Sequence, residues 1–533
     1  MTDTDQPDAA TGASEEPGAD RPFNKTTALW VLLATIMASG MAIVDSTAVN
    51  VALPALSQGL GASEIQLFWV VVAYLLFLSS LILVGGVLGD MYGRRKIFAL
   101  GVGLFGATSV WCGLAPDPIQ LIMARSFQGI GAALLVPGSL AIITAYFPES
   151  ERGKAIGWWS AFSALLVAVG PVLGGWFVDQ FTWRLVFFIN LPLTVFVLWM
   201  VAQHVPESFG ESADRAVDWV GAVLAVLGLG ALSFGLIYGG KFGFAQALGG
   251  GAIVGGVGAL VAFVVAQARV RTPMMPLSMF KSKNFAGANL LTVLLYAPLG
   301  GGTLFLPILM IEVYDYSALA AGAALLPVVF LLATLSRYAG GMINRTGATI
   351  PLVVGPIISG LGWAYFALPW FSGNYWTTFF PGFVLLGLGM SIAVAPLTTV
   401  VMTAFDQGKA GVASGINNAA SRASGLVAVA LFGALVTLIF NRELAVAVAG
   451  IDLPAAALAA LDAQDNLLTA AQIPEGLAAG MAARLGTAID ESFLAGYRAA
   501  MWLSAGLAAA SALFAAAMIR YKPEAPEQGA VGR

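Results

Sequence analysis

From about residue 27 to residue 518 this chain alternates long apolar stretches with short polar connectors. A helix needs about 20 consecutive apolar residues to cross the hydrocarbon core of a bilayer. Fourteen stretches meet that length: 27–53, 66–88, 97–115, 119–146, 155–178, 184–203, 217–240, 246–267, 285–311, 318–341, 348–371, 376–403, 411–440 and 495–518. Several contain Gly or Pro, which membrane helices tolerate where neighbouring helices satisfy the backbone. A membrane barrel would show segments of about 10 residues with alternating polarity, and none is visible. The pattern predicts an all-α integral membrane protein with fourteen spans.

Composition agrees. Of 533 residues, 59% are apolar and 10% are charged, against roughly 45–50% and about 25% in soluble domains. That is too little charge to cover two or three soluble cores. The placement of charge sets orientation. Of the 25 Lys and Arg, seventeen fall in connectors and tails on the side that holds both termini, and five fall on the opposite side. Basic residues favour the cytoplasmic side, so both termini are expected there. Six of the 29 acids lie in the first 20 residues, and 1–26 reads as a disordered tail, with a second cytoplasmic tail at 519–533. No basic region precedes an apolar run and cleavage site, so the head is not a signal peptide. No basic cluster suits nucleic acid. Cys112 and His204 are the sole Cys and His. Zinc centres, Cys or His nucleophiles and His proton relays lack their parts, and neither enzyme chemistry, a cofactor nor a metal is expected.

Charged connectors divide the chain into an N-terminal block (27–203), a pair of inserted spans with cytoplasmic linkers (204–284) and a C-terminal block (285–518). The two large blocks share an internal repeat: Gly86-Val87-Leu88-Gly89-Asp90-Met91-Tyr92-Gly93-Arg94 corresponds to Gly340-Gly341-Met342-Ile343-Asn344-Arg345-Thr346-Gly347-Ala348. Two six-helix halves of this kind suit a rocking-bundle transporter; short Gly-containing loops between apolar helices are the simpler account of the same segment. The stretch 441–493 is read as a long external loop, Ala/Leu-rich with scattered acids, able to form short amphipathic helices.

Asp45 is the one carboxylate well inside a predicted span, and such a group costs roughly 2.5–3.5 kcal/mol on insertion scales. At 1.5 Å per residue it lies about 12 Å from the outer end of the first span. Arg125 lies about 9 Å from the outer end of the fourth. The two therefore share a level and can pair, either as a proton switch or as a static ion pair. Gln128 follows Arg125 by three residues and shares its face, within Arg125-Ser126-Phe127-Gln128-Gly129-Ile130-Gly131-Ala132-Ala133. Arg422 is the other arginine deep in a predicted span. In the fifth span Gly170-Pro171-Val172-Leu173-Gly174-Gly175 combines a kink with a surface free of side chains; alone, it is equally a packing feature. The loop Gly89 to Lys96 is charged as well as Gly-containing. There Asp90 can cap a helix, and Arg94 is expected to reach Glu149 or Glu151 and lock the cytoplasmic side, unless the loop serves only as a positive-inside anchor. Aromatic residues Trp69, Tyr74, Trp158 and Tyr296 are candidates to line a cavity, although aromatics in membrane helices also serve as packing and interface anchors.

Together these segments resemble the major facilitator superfamily, and within it the fourteen-span drug:proton antiporters. Asp45-Ser46-Thr47-Ala48-Val49-Asn50-Val51-Ala52-Leu53-Pro54 is similar to that branch's first-helix motif, and Trp69 to Tyr74 to its second-helix signature. Gly86 to Lys96 is similar to the superfamily's loop motif, Arg125 to Ala133 to the fourth-helix motif, Gly170 to Gly175 to the antiporter motif, and Trp183 to Pro192 to the next connector. Departures occur at Leu166, where glycine is usual, at Ile311 and Glu312, where a glutamine is usual, and across Asn417 to Gly425, which keeps part of an arginine-glutamine-glycine pattern. The resemblance implies a major facilitator fold of two six-helix bundles plus two inserted helices. It implies proton coupling through Asp45 and Arg125, a cytoplasmic gate at Gly86, Asp90, Gly93, Arg94 and Glu151, and an antiporter helix motif at Gly170, Pro171, Gly174 and Gly175. A substrate cavity would include Asn50, Trp69, Tyr74, Gln128, Tyr296 and Asn417. The expected protein is a monomeric, proton-driven multidrug exporter in a bacterial-type inner membrane, needing no cofactor.

Because Asp45 stands nearly alone in an apolar interior, an uncharged or singly cationic hydrophobic cargo is expected. Export of an endogenous lipid or metabolite, or proton symport, would use the same fold. A membrane enzyme would need a polar constellation and a channel a filter or charged ring; neither is visible. A non-transporting role would leave Asp45 and Arg125 unexplained.

Overall fold

The computed structural model describes residues 24–210, 216–368, 373–405, 407–451, 453–462, 473–474 and 477–520. Most of the predicted tails 1–26 and 519–533 therefore lie outside the described residues. The first block comprises α1 (Lys25–Leu60), α2 (Glu64–Tyr92), α3 (Arg94–Leu114), α4 (Pro118–Tyr146), α5 (Glu149–Gln180), the single turn α6 (Leu185–Phe188) and α7 (Asn190–His204). The inserted pair is α8 (Trp219–Phe242) and α9 (Ala247–Arg269). The second block comprises α10 (Lys283–Glu312), α11 (Ala318–Ala323), α12 (Leu326–Thr346), α13 (Thr349–Phe366), α14 (Phe380–Thr403), α15 (Gln407–Ala449), α16 (Ala455–Asp462) and α17 (Ala479–Met518).

Among the described residues, thirteen helical segments are long and apolar enough to cross a membrane, one fewer than the fourteen expected. The remaining predicted span, 155–178, lies inside the continuous helix α5. The Leu165–Gln180 part of α5 is an apolar helix shorter than the other spans among the described residues, and the first turns of α5 carry Glu149, Glu151, Arg152 and Lys154. The reading of 441–493 as loop is also revised. Helix α15 continues to Ala449 and α17 begins at Ala479, so apolar helices run on through both ends of the segment. Arg484 Nη2 donates to the Gly450 carbonyl at 3.1 Å and ties these extensions together.

Local chemistry starts and stops the helices where the sequence suggests. Ser63 and Gln66 form a reciprocal capping box at α2, satisfying amides that would otherwise lack partners. Asp117 caps α4 ahead of Pro118. Gly93 ends α2 at φ 105° and Gly347 follows α12 at φ 74°, in a region costly for residues with a Cβ. The internal repeat thus marks the same turn in both blocks.

Within the first block α4 packs on α2 and α3, and α5 on α1; within the second, α13 packs on α14 and α17, and α10 on α15 and α17. Small residues permit the close approaches. A Cβ on Gly131 would sit 2.7 Å from the Phe105 backbone nitrogen. The blocks meet along two seams, α2 against α15 and α5 against α11 and α12, while α8 lies against both α2 and α15. Helix α9 packs on α8 and leaves Val254, Val257 and Val261 exposed, as suits a lipid-facing helix.

Candidate functional site

Five helices of the first block, α1, α2, α3, α4 and α7, bring polar side chains to one buried point. Asp45 on α1 and Arg125 on α4 form an ion pair with 0% and 1% of their side chains exposed. Arg125 Nη1 also donates to Gln128 Oε1 at 2.6 Å and its Nε to the Val70 carbonyl at 3.1 Å. Its guanidinium lies 4.2 Å from the centre of the Tyr74 ring, within cation–π range. The other carboxylate oxygen, Asp45 Oδ1, accepts from Gln128 Nε2 at 2.9 Å and from Asn190 Nδ2 at 3.3 Å. Ser109 Oγ accepts from both amides, at 2.7 and 3.2 Å. The Tyr74 hydroxyl donates to the Ala42 carbonyl. All of these side chains are buried. Buried charge is tolerated only when paired and hydrogen-bonded, and here both conditions are met.

Depth placed Asp45 and Arg125 together, and Gln128 joined them by helical spacing. Ser109 and Asn190 complete the cluster unpredicted. Asn190 lay within a quoted motif, but nothing in a sequence fixes which way a polar residue of a span points.

At the predicted cytoplasmic end, Arg94 donates from Nε to Asp90 Oδ1 at 2.8 Å and from Nη1 to the Ala141 carbonyl at 3.4 Å. The expected contact with Glu151 is not made. Glu151 pairs with Lys154 at 3.3 Å on its own helix, one turn away and with no loop to cross; the Glu149 side chain lies outside the described set. The linker after α7 supplies the missing partners. Glu207 Oε1 accepts from the Arg95 amide at 2.9 Å, capping α3, and the Ser208 carbonyl accepts from the Arg94 amide. A Cβ on Gly93 would sit 2.7 Å from the Glu207 carboxyl carbon. Gly86 approaches Pro137.

At the opposite end the blocks are fastened together. On α5, Gly170 and Gly174 face α1, where a Cβ on Gly174 would lie 2.9 Å from the Ala48 backbone. Gly175 abuts the Ala318 backbone, and Gly322 of α11 abuts the Pro171 carbonyl. Asp179 accepts from the Ala318 and Leu319 amides at 3.1 and 2.8 Å. On the other seam the Thr437 hydroxyl donates to the Glu64 carboxylate, and both side chains are buried.

The residues expected to line one cavity separate into five settings. Tyr74 and Gln128 belong to the buried cluster. Trp69 turns to the inserted helix α8, with its ring 6.4 Å from that of Phe234, so it is a packing residue. Asn417 donates to Thr292 Oγ1 at 2.7 Å and to Asn289 Oδ1 at 3.3 Å, joining α15 to α10. Asn50 and Tyr296 remain partly exposed, and Asn50 Oδ1 has no hydrogen-bond partner among the described residues. Trp158 is largely exposed beside Phe162. Nowhere among the described residues do three His, Cys, Asp or Glu side chains gather to hold a metal.

The family model of the Major Facilitator Superfamily matches residues 35–429. The multidrug resistance protein Stp of Mycobacterium tuberculosis (strain CDC 1551 / Oshkosh) is 33% identical over 410 residues, covering 77% of this chain and 76% of that protein. The tetracenomycin C resistance and export protein of Streptomyces glaucescens is 32% identical, covering 76% and 75%. Among solved structures, a bacterial homologue of the human lysosomal transporter Spinster, in an inward-facing and unoccupied conformation, superposes with a TM-score of 0.62 at 17% identity, covering 94% of this chain and all of that one.

Proposed function

The chain belongs to the major facilitator superfamily, and from that premise we propose that it is a proton-coupled exporter of hydrophobic small molecules. It works by alternating access, in a bacterial-type inner membrane with both termini in the cytoplasm. The observation that carries this reading is the fully buried pair of Asp45 and Arg125, since ionisable groups inside a membrane protein are functional by default. The export direction takes support from relatives named for multidrug resistance and for antibiotic export.

With Asp45 ionised, the pair closes and binds α1 to α4. A proton on Asp45 removes the charge that balances Arg125. The lone guanidinium then costs several kcal/mol in its buried site, and movement of α4 relative to α1 relieves that cost by bringing Arg125 to water. Loss of the proton re-forms the pair. One proton crossing 100 mV supplies about 2.3 kcal/mol, which sustains a cargo gradient of roughly fortyfold. Asp45 is bound up with Arg125, Gln128 and Asn190, so its carboxylate is not offered to cargo in this arrangement.

The test is flux in proteoliposomes across an imposed pH gradient, with a panel of hydrophobic fluorescent compounds. Gradient-dependent accumulation that a protonophore collapses is expected. A panel in which no compound responds to the gradient rejects proton coupling.

A further inference from the structure

Arg422 is the intramembrane charge that the coupling mechanism leaves unused. It stands on α15, on the face it shares with Gly415 and Ala419 at helical spacing, and this face meets the first block. A Cβ on Gly415 would lie 3.2 Å from Leu83 of α2, and Ala419 packs on the cluster containing Tyr74, Leu78 and Ile82. Helices α2 and α15 run in opposite directions, so Arg422 comes level with Tyr74, the titratable neighbour its charge acts on. Yet it takes part in none of the ion pairs or hydrogen bonds among the described residues, and its Nε is shielded without a partner. The residue stays partly exposed at a depth of about 22 Å along α15, on the face turned to the first block.

The sequence supplies no counter-charge. From residue 316 to residue 442 the chain has one acid, Asp406, sixteen residues before Arg422. Asp45 is committed to Arg125. Glu64, the buried carboxylate of the same seam, is held by Thr437, fifteen residues further along α15. With the Asp45–Arg125 pair neutral, Arg422 therefore has no carboxylate beside it among the described residues, the reverse of the single negative charge that Asp45 alone suggested. An unpaired buried charge is costly, and a ligand that brings the opposite charge recovers that cost.

We propose that Arg422 is the specificity-determining residue of the cargo site, selecting hydrophobic compounds that carry one negative charge, such as carboxylates or phenolates. This inference rests on the exporter reading above for its transport role, but the binding preference stands independently of proton coupling.

Three probes share one apolar body: pyrenebutyrate, its methyl ester and the pyrenebutyl trimethylammonium ion. Binding to the purified full chain in neutral-lipid nanodiscs is followed by energy transfer from tryptophan to pyrene. The wild-type protein binds the carboxylate roughly tenfold to a hundredfold more tightly than the ester, as one charge-assisted contact allows, and the ammonium ion most weakly. Arg422→Gln erases the carboxylate advantage and changes ester affinity by no more than about twofold, while Arg422→Lys retains part of it. Equal binding of the three probes by the wild type, or a preference for the ammonium ion, overturns the proposal without any variant having to fold. A uniform loss for all three probes in Arg422→Gln also overturns it, by making Arg422 a structural residue. Flux under a pH gradient separates the two readings. Carboxylate preference without gradient response defeats the exporter and keeps the site; gradient response to all three probes alike keeps the exporter and defeats the site.

Discussion

The two blocks each hold one arginine deep in the membrane, and they treat it in opposite ways. Arg125 reaches a carboxylate, an amide, a backbone carbonyl and an aromatic face within its own block. Arg422 makes no ion pair or hydrogen bond among the described residues and keeps its Nε shielded. Removing a partner from the first arrangement leaves a bare charge. Removing the second arginine takes away a charge that was already bare. Identical residue types at similar depth therefore predict opposite energetic behaviour, which suggests a division of labour between coupling in the first block and recognition in the second.

The strongest way to break this comparison is to remove the coupling charge. Asp45→Asn keeps the shape and one acceptor but cannot ionise, so gradient-driven flux is expected to fall to background while insertion persists. Full flux in that variant, measured in proteoliposomes, would place coupling elsewhere. Next in size are the arginines themselves. Arg125→Met leaves Asp45 buried and unpaired, and should cost about 3–5 kcal/mol in denaturant unfolding. Arg422→Met should leave stability unchanged or raise it, because no partner is stranded. Equal destabilisation by the two substitutions would erase the distinction.

How much of this was legible beforehand depends on which coordinate a sequence encodes. Depth follows from helical rise, so Asp45 and Arg125 could be matched across eighty residues, and their pairing follows. Azimuth is not encoded in spans that are apolar all round. Sequence alone therefore does not place Ser109 and Asn190 in the cluster, and Trp69, a cavity candidate by type, faces α8. Glu64 was missed because a charge at a span's end is ordinary; its burial comes from Thr437, far away in the chain. Arg94 was matched to Glu151, which had a nearer partner in Lys154. The block division rests on the charged connectors that follow α7 and α9. The predicted span beyond the thirteen, 155–178, lies within α5, of which Leu165–Gln180 is apolar among the described residues.

A smaller effect tests whether the seam beside Arg422 is sealed from the far side. Thr437→Val removes the donor to the buried Glu64 carboxylate across the α2–α15 seam, at a cost of about 1–3 kcal/mol to the closed arrangement. A cysteine introduced by Ala434→Cys, beside Gly240 of α8, should then react faster with an impermeant thiol reagent added from outside. Cys112 is buried and contributes little background. An unchanged labelling rate would mean that Asp179 and the α5–α11 contact close this end without help from the other seam.

The smallest stability effect belongs to Arg94→Ala, and it bears on whether charge near the membrane surface behaves like charge within it. The Arg94–Asp90 pair is spaced i,i+4, with 18% and 35% of the side chains exposed, and pairs of this kind contribute roughly 0.3–0.5 kcal/mol. Its further contacts, with the Ala141 and Ser208 carbonyls, also lie on the first-block side of the molecule. Unfolding should therefore shift by less than about 1 kcal/mol, far less than for Arg125→Met. Turnover is a separate matter. Gly93, the Arg94–Asp90 pair and the Glu207 cap lie where α2 passes into α3, and α2 carries one side of the seam with α15 that the proposed alternating access would open and close. Arg94→Ala should accordingly lower the maximal rate of gradient-driven flux while leaving equilibrium affinity for cargo unchanged. If affinity falls instead and the rate holds, the turn contributes to the cargo site rather than to its gating, and the contrast between surface and interior charge gives way.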